Sequence, residues 1–184
     1  MSGILKGRTI IIDPGHGGRF DGKTNRDRKE KDITLEMSKI LRDKLEGKGA
    51  TVYLTRTRDT DFGGKDINDD INKRVKYINK KFSRMDVLVS IHVNTEYGRV
   101  GAFHHPDAKA SKTLAKDIAI NNDMNYYEED FAILRDTKAS AKTLLEIGQI
   151  DESWLDSSRE LSYVAKNIVR GIIDYFDDLR TARW

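Results

Sequence analysis

A chain of 184 residues, 38% hydrophobic and 34% charged, is long enough for one α/β domain with a core of its own. It has no cysteine, which excludes disulfides and thiolate metal centres and leaves His, Asp and Glu as the strong metal ligands. A net charge of +3, with no basic stripe interleaved with aromatics and no apolar run near the ~20 residues that span a bilayer, argues against nucleic-acid-binding and membrane-spanning classes.

The opening "MSGILKGR" lacks an apolar h-region, so no signal peptide is expected. That leaves action inside the cell, exit by a non-Sec route, release on lysis, or excision from a longer protein. Residues 9–13, "TIIID", form a β-branched run stopped by Pro-Gly and predict a strand. Over 32–48 the apolar residues Ile33, Met37, Ile40, Leu41 and Leu45 recur at helical spacing, and "EGKGA" supplies a glycine stop. "TVYLTR" (51–56) predicts a second strand, completing a βαβ start with a parallel pair. The Asp- and Gly-rich segment after it reads as loop, followed by a helix over 71–82 with Ile71, Val75 and Ile78 on one face.

"MDVLVSIHVN" (85–94) predicts a strand buried on both faces. "VGAFHH" (100–105) predicts another strand, 111–121 a helix, and "TLLEIG" (143–148) one more strand. A final helix is expected over 158–179, its stripe running from Leu161 through Ile168 and Ile172 to Phe176. No repeat, low-complexity tract or linker divides the chain. The expectation is a single α/β domain over 1–184, with a mostly parallel twisted sheet and helices on both faces.

Active residues in such folds gather at the carboxyl ends of strands. His16, His92 and Glu146 each stand near the close of an apolar run. A lone strand histidine is more often structural than a ligand, but two histidines and a glutamate placed this way point to a metal site. Burying a carboxylate without a partner is costly, so Glu146 requires a charge or donor nearby. Hydrolytic zinc takes three protein ligands and keeps one position open. Glu30, where a loop meets the first helix, is a candidate third ligand, and Asp27 and Asp32 compete on the same grounds. Helix starts collect acids in any case.

The motifs "IIDPGHGG", "KEKDITLEMSKIL", "VYLTRTRD", "RVKYIN", "LVSIHVN" and "LLEIG" occur in the order that marks zinc-dependent N-acetylmuramoyl-L-alanine amidases of the Amidase_3 type, which the chain resembles over nearly its whole length. That resemblance implies His16, Glu30 and His92 as ligands to one zinc ion per chain and Glu146 as the catalytic glutamate. It further implies peptidoglycan as substrate, cut between the muramoyl lactyl group and L-alanine in the bacterial cell wall by a monomeric catalytic domain of an autolysin or phage endolysin. A zinc exopeptidase and a catalytically silent wall-binding module are the alternatives.

In chemical terms, zinc polarises a carbonyl and acidifies water, while a carboxylate outside the ligand set shuttles a proton to the leaving nitrogen. Asp13 is a possible acceptor behind a ligand imidazole, or merely shapes the turn. Gly15, Gly17 and Gly18 are expected to give clearance around metal and substrate. Arg74 is read as a structural ion pair, and Asn94 as a contact to substrate or to His92. Two departures from the family pattern stand out: Gln149 replaces an aromatic after "LLEIG", and "FHH" (103–105) replaces a polar-aromatic strand. Adjacent strand residues face opposite ways, so at most one of His104 and His105 reaches the site. An exposed or helix-packed position is the preferred reading for them.

Overall fold

Ile10, Ile11 and Ile12, with no exposed surface, form the middle of β1 (Thr9–Pro14). In the computed structural model, which describes residues 3–181, a small hairpin follows, β2 (Thr24–Asn25) and β3 (Arg28–Lys29), leading into α1 (Glu30–Glu46). Then come β4 (Thr51–Leu54), α2 (Ile67–Lys81), β5 (Val87–Asn94), β6 (Gly101–His104), α3 (Lys109–Asn121) and β7 (Asn125–Glu128). The short α4 (Ala132–Asp136), β8 (Ala141–Gln149), a 3-10 turn (Ser153–Asp156) and the long α5 (Ser158–Thr181) complete the chain. No helix among the described residues is long and apolar enough to cross a membrane.

The six-stranded sheet has the order β4-β1-β5-β8-β6-β7. Only β6 against β8 is antiparallel. Helices cover both faces, as the sequence suggests. On one face α1, α3 and α5 pack on Ile10, Ile12, Val89, Ile91 and Leu145. On the other, α2 and α4 pack on Ile11, Leu88, Phe103 and Leu144. Burial from both sides is why the central strands read as nearly continuous apolar runs.

Side chains alternate along a strand, and on the α2 side that alternation turns polar toward the carboxyl ends. Ile11 gives way to Asp13, Leu88 to Ser90 and then His92, and Leu144 to Glu146. The same face therefore holds apolar core at one end and chemistry at the other.

Several boundaries differ from those the sequence suggests. Helix α1 starts at Glu30, because the segment just before β2 supplies its first acceptors: the Glu30 N–H bonds Lys23 O and the Lys31 N–H bonds Asp21 O. Helix α2 begins at Ile67, its first turn polar and capped by Asp66, whose side chain accepts the Asp69 N–H at 2.9 Å. Strand β4 stops at Leu54, since Thr55 and Arg56 turn inward toward β1. Strand β7 and helix α4 have no apolar period long enough to read and were not anticipated.

Candidate metal centre and active site

His16 leaves β1 in the left-handed region, at φ +58°, a conformation that costs a non-glycine residue free energy and needs external support. Two buried guanidinium groups supply it. Arg56 donates to Pro14 O at 3.1 Å, Gly15 O at 2.9 Å and Lys31 O at 2.7 Å. Arg74 donates to Pro14 O and His16 O, both at 2.7 Å. Arg56 thus ties the histidine turn to the first turn of α1, and burial together with Arg74 pushes its pKa down to about 10. Asp13 balances the charge: it pairs with Arg74 at 2.9 Å and accepts from Thr55 Oγ1 at 2.5 Å and Ser90 Oγ at 2.9 Å. Burial alone would raise the Asp13 pKa, but Arg74 and the two hydroxyls hold it below the usual carboxylate range. Asp13 therefore anchors Arg74 rather than an imidazole, and Arg74 is the structural ion pair expected of it.

Glu30 comes from the first residue of α1 and is 1% exposed. Its Oε1 accepts the Val93 N–H at 3.0 Å and lies 2.9 Å from His92 Nδ1. Its Oε2 accepts the Lys23 N–H at 2.8 Å and lies 3.2 Å from His16 Nε2. One donor atom from each of His16, Glu30 and His92 falls within 4.8 Å of the others. The two rings meet edge-on, centroids 5.2 Å apart. Burial opposes charge on Glu30, yet hydrogen bonds from both histidines outweigh it and hold the carboxyl well below its ordinary range. Burial likewise opposes protonation of His92, and the Glu30 contact reverses that and raises its pKa. Asp27 and Asp32, the competing acids, are both exposed.

The loop leading into β2 passes so close to this group that only glycine fits. A Cβ on Gly22, at φ +73°, would lie 2.5 Å from Glu30 Oε2 and 2.7 Å from His16 Cδ2. Gly15 gives the clearance expected of it, since a Cβ there would meet His92 Cε1 at 2.5 Å. Gly17 and Gly18 do not: they pack against Thr60 and Asp61 of the following loop.

Glu146 stands opposite His92 in the parallel register of β5 and β8, so both side chains project from the same face. The register shifts immediately afterwards, where β8 carries an extra residue before Gln149. Glu146 Oε2 is buried with no hydrogen-bond partner. Burial pushes its pKa up to about 7, against an opposing pull from His92. Beside it opens a cavity of about 460 Å³, with His16, His92 and Glu146 on its polar side and Ile67, Ile71, Phe131, Ile133 and Leu144 on its apolar side.

This donor set fits a divalent metal of intermediate softness: two imidazoles and one carboxylate, the carboxylate oriented by two backbone N–H groups. The polar residues nearby have other tasks. Asn94 accepts the Thr95 N–H and donates to Arg99 O, closing the loop after β5 instead of contacting His92. Gln149, in place of an aromatic, donates to Gly98 O of that loop at 2.9 Å. His104 is buried, 1% exposed, with Nδ1 3.0 Å from His105 O, and His105 lies 3.2 Å from Asp130. Neither lines the cavity. Arg56 and Gly22 carry structural weight at the site that the sequence left unassigned. An arginine closing an apolar strand, in "YLTR", was the legible signal for the first of them.

A family model described as N-acetylmuramoyl-L-alanine amidase (Amidase_3) matches residues 10–174. The probable cell wall amidase LytH of Staphylococcus aureus is 32% identical over 94% of this chain, which spans only 60% of that relative's length. Among solved structures, the CwlD amidase of Clostridioides difficile, determined in complex with the GerS lipoprotein, aligns with a TM-score of 0.81 at 27% identity, covering 92% of this chain and 98% of that one. The catalytic domain of CwlV, an N-acetylmuramoyl-L-alanine amidase from Bacillus (Paenibacillus) polymyxa, aligns at 0.75 and 26%, covering 92% and 98%. The chain belongs to the Amidase_3 family of N-acetylmuramoyl-L-alanine amidases.

Proposed function

We propose that residues 1–184 form one catalytic domain that hydrolyses the amide between the lactyl group of N-acetylmuramic acid and L-alanine in the peptidoglycan of a bacterial cell wall. The observation that carries this reading is the juxtaposition of His16, Glu30 and His92, donor atoms within 4.8 Å of one another, with a buried, unpartnered carboxylate on the neighbouring strand. Family membership supports the bond and the substrate. All four side chains come from one chain, so the site needs no residue from a second copy.

His16, Glu30 and His92 would hold one zinc ion, which when bound supplies Lewis-acid activation of water and of the amide carbonyl. The remaining steps belong to the protein. Glu146 Oε2, lacking any competing donor, accepts the proton lost by the attacking water. It then gives that proton to the departing alanine nitrogen, without which the amide cannot leave. A carboxyl group poised at about 7 is suited to both transfers at neutral pH. Arg56 and Arg74 fix the turn that aims His16, and the Lys23 and Val93 amides fix the Glu30 carboxylate.

Digestion of purified sacculi tests the reading. New muramoyl lactyl carboxylates together with new L-alanine N-termini are expected. Release of single terminal amino acids would instead identify an exopeptidase, and wall binding without any cleavage would identify a silent module.

A further inference from the structure

Four aromatic rings run in a connected line from the cavity wall to the edge of the sheet. Arg74, in that wall, has its guanidinium 4.6 Å from the centre of the Phe62 ring. Phe62 lies 5.3 Å from Tyr77, Tyr77 lies 6.3 Å from Phe82, and Phe82 lies 5.5 Å from Tyr53 on the outermost strand. Tyr53 and Tyr77 are 48% and 38% exposed, and Phe62 and Phe82 are half-buried. Two exposed tyrosines joined by partly buried rings make a local aromatic patch of the kind that serves as a binding surface.

The surroundings of the ribbon say what it binds. From Asn72 to Lys81, α2 carries five basic residues and no acidic one. Lys73, Lys80 and Lys81 lie one helical turn before and after Tyr77, on its face of α2. Lys76, Lys80 and Lys81 are exposed, while Lys73 pairs with Asp69. The ligand must therefore present flat faces to aromatic rings and negative charge to lysines. Hydrolysis of the muramoyl–alanine amide produces such a ligand. One water is consumed, the lactyl carbonyl becomes a carboxylate, and the alanine nitrogen leaves as an ammonium group. The glycan left behind is a chain of sugar rings with a short carboxylate on every second one, and no peptide stands between ring and protein.

We propose that the Phe62–Tyr77–Phe82–Tyr53 ribbon with its lysines binds the peptide-free glycan strand that the reaction creates, holding the domain on a strand already cut. The proposal rests on the amidase reading, because that reading makes the strand the product. Its test does not, since the strands are prepared independently with an unrelated amidase. Binding of the full chain to peptide-free strands is measured beside intact strands, neutral N-acetylglucosamine oligosaccharides, polyglutamate and anionic lipid vesicles.

Tightest binding to peptide-free strands is expected, weakened about tenfold or more by Tyr77→Ala and, separately, by the double variant Lys80→Glu/Lys81→Glu. Both variants should cleave a short soluble muropeptide at the wild-type rate, because neither position touches the metal centre. Equal binding to polyglutamate, preference for intact strands or for vesicles, or unchanged binding in both variants would overturn the proposal. Failure of the wild type to cleave the muropeptide would instead count against the amidase reading alone.

Discussion

Replacing Glu146 with Gln should stabilise the metal-free protein while abolishing its activity. The carboxyl's ordinary value is 4.5 and burial pushes it up to about 7 in the fold. A carboxyl raised by folding binds its proton more tightly in the native state, so its stabilising contribution is complete below 4.5 and is lost as pH rises through 7. A difference of this size corresponds to about 3 kcal/mol at pH 8, at roughly 1.4 kcal/mol per pH unit. Glutamine keeps the shape and cannot ionise. In chelator, urea unfolding of wild type and Glu146→Gln should therefore agree near pH 4.5 and diverge toward pH 8, with the variant the more stable. Asp117, pushed up to about 6 by burial and by Asp178 and Asp174, adds a slope of the same sign to both proteins and cancels in the difference. A difference independent of pH, or a variant less stable at pH 8, would refute the assignment of Glu146 as a destabilised, proton-holding carboxyl. Stability sacrificed at one buried group is a common feature of active sites.

Other perturbations probe the supports of the site. Arg56→Ala removes donors from Pro14 O, Gly15 O and Lys31 O and should cost about 3 kcal/mol in urea unfolding, with zinc affinity about 10-fold to 100-fold weaker by competition with a chromogenic chelator. Gly22→Ala forces a Cβ against Glu30 and His16 at positive φ, so dialysis followed by metal analysis should find zinc lost from a protein whose far-ultraviolet circular dichroism is unchanged. Asp13→Asn removes the nearer of the two buried carboxylates beside Arg74, leaving Asp70 at 3.8 Å, and should lower stability by about 2–3 kcal/mol at pH 7. Because the folded-state pKa of Asp13 is depressed, that penalty should shrink as pH falls below 4. Zinc uptake should release protons and weaken as pH falls through the raised His92 range, above 6.5, which calorimetry in buffers of different ionisation enthalpy can measure.

Three of the four candidate site residues were readable because each ends or follows a strand with a strong apolar signal. The isoleucines before His16, the apolar run before His92 and the short run before Glu146 place their polar residues at strand ends, and parallel pairing then brings those ends together. Glu30 was separable from Asp27 and Asp32 by family resemblance alone, because its selection depends on a two-residue hairpin too short to leave a pattern. Arg56 showed only as a polar residue closing an apolar strand, because its partners are backbone carbonyls, which carry no sequence signature. Asp13 was legible as an acceptor or a turn-shaping residue, but its partner comes from α2, and sequence spacing says nothing about which helix covers which end of a sheet. The first turn of α2, "INDD", was hidden because three of its four residues are polar and Ile67 faces the cavity, so no apolar period runs through it.

The division of labour between the His/Glu/His group and Glu146 can be tested by assaying Glu146→Ala for zinc content and wall lysis on the same preparation. Near-stoichiometric zinc with no lysis is expected, while His16→Ala and His92→Ala lose both. Zinc lost from Glu146→Ala would make Glu146 a ligand, and lysis equal to wild type would remove it from the chemistry.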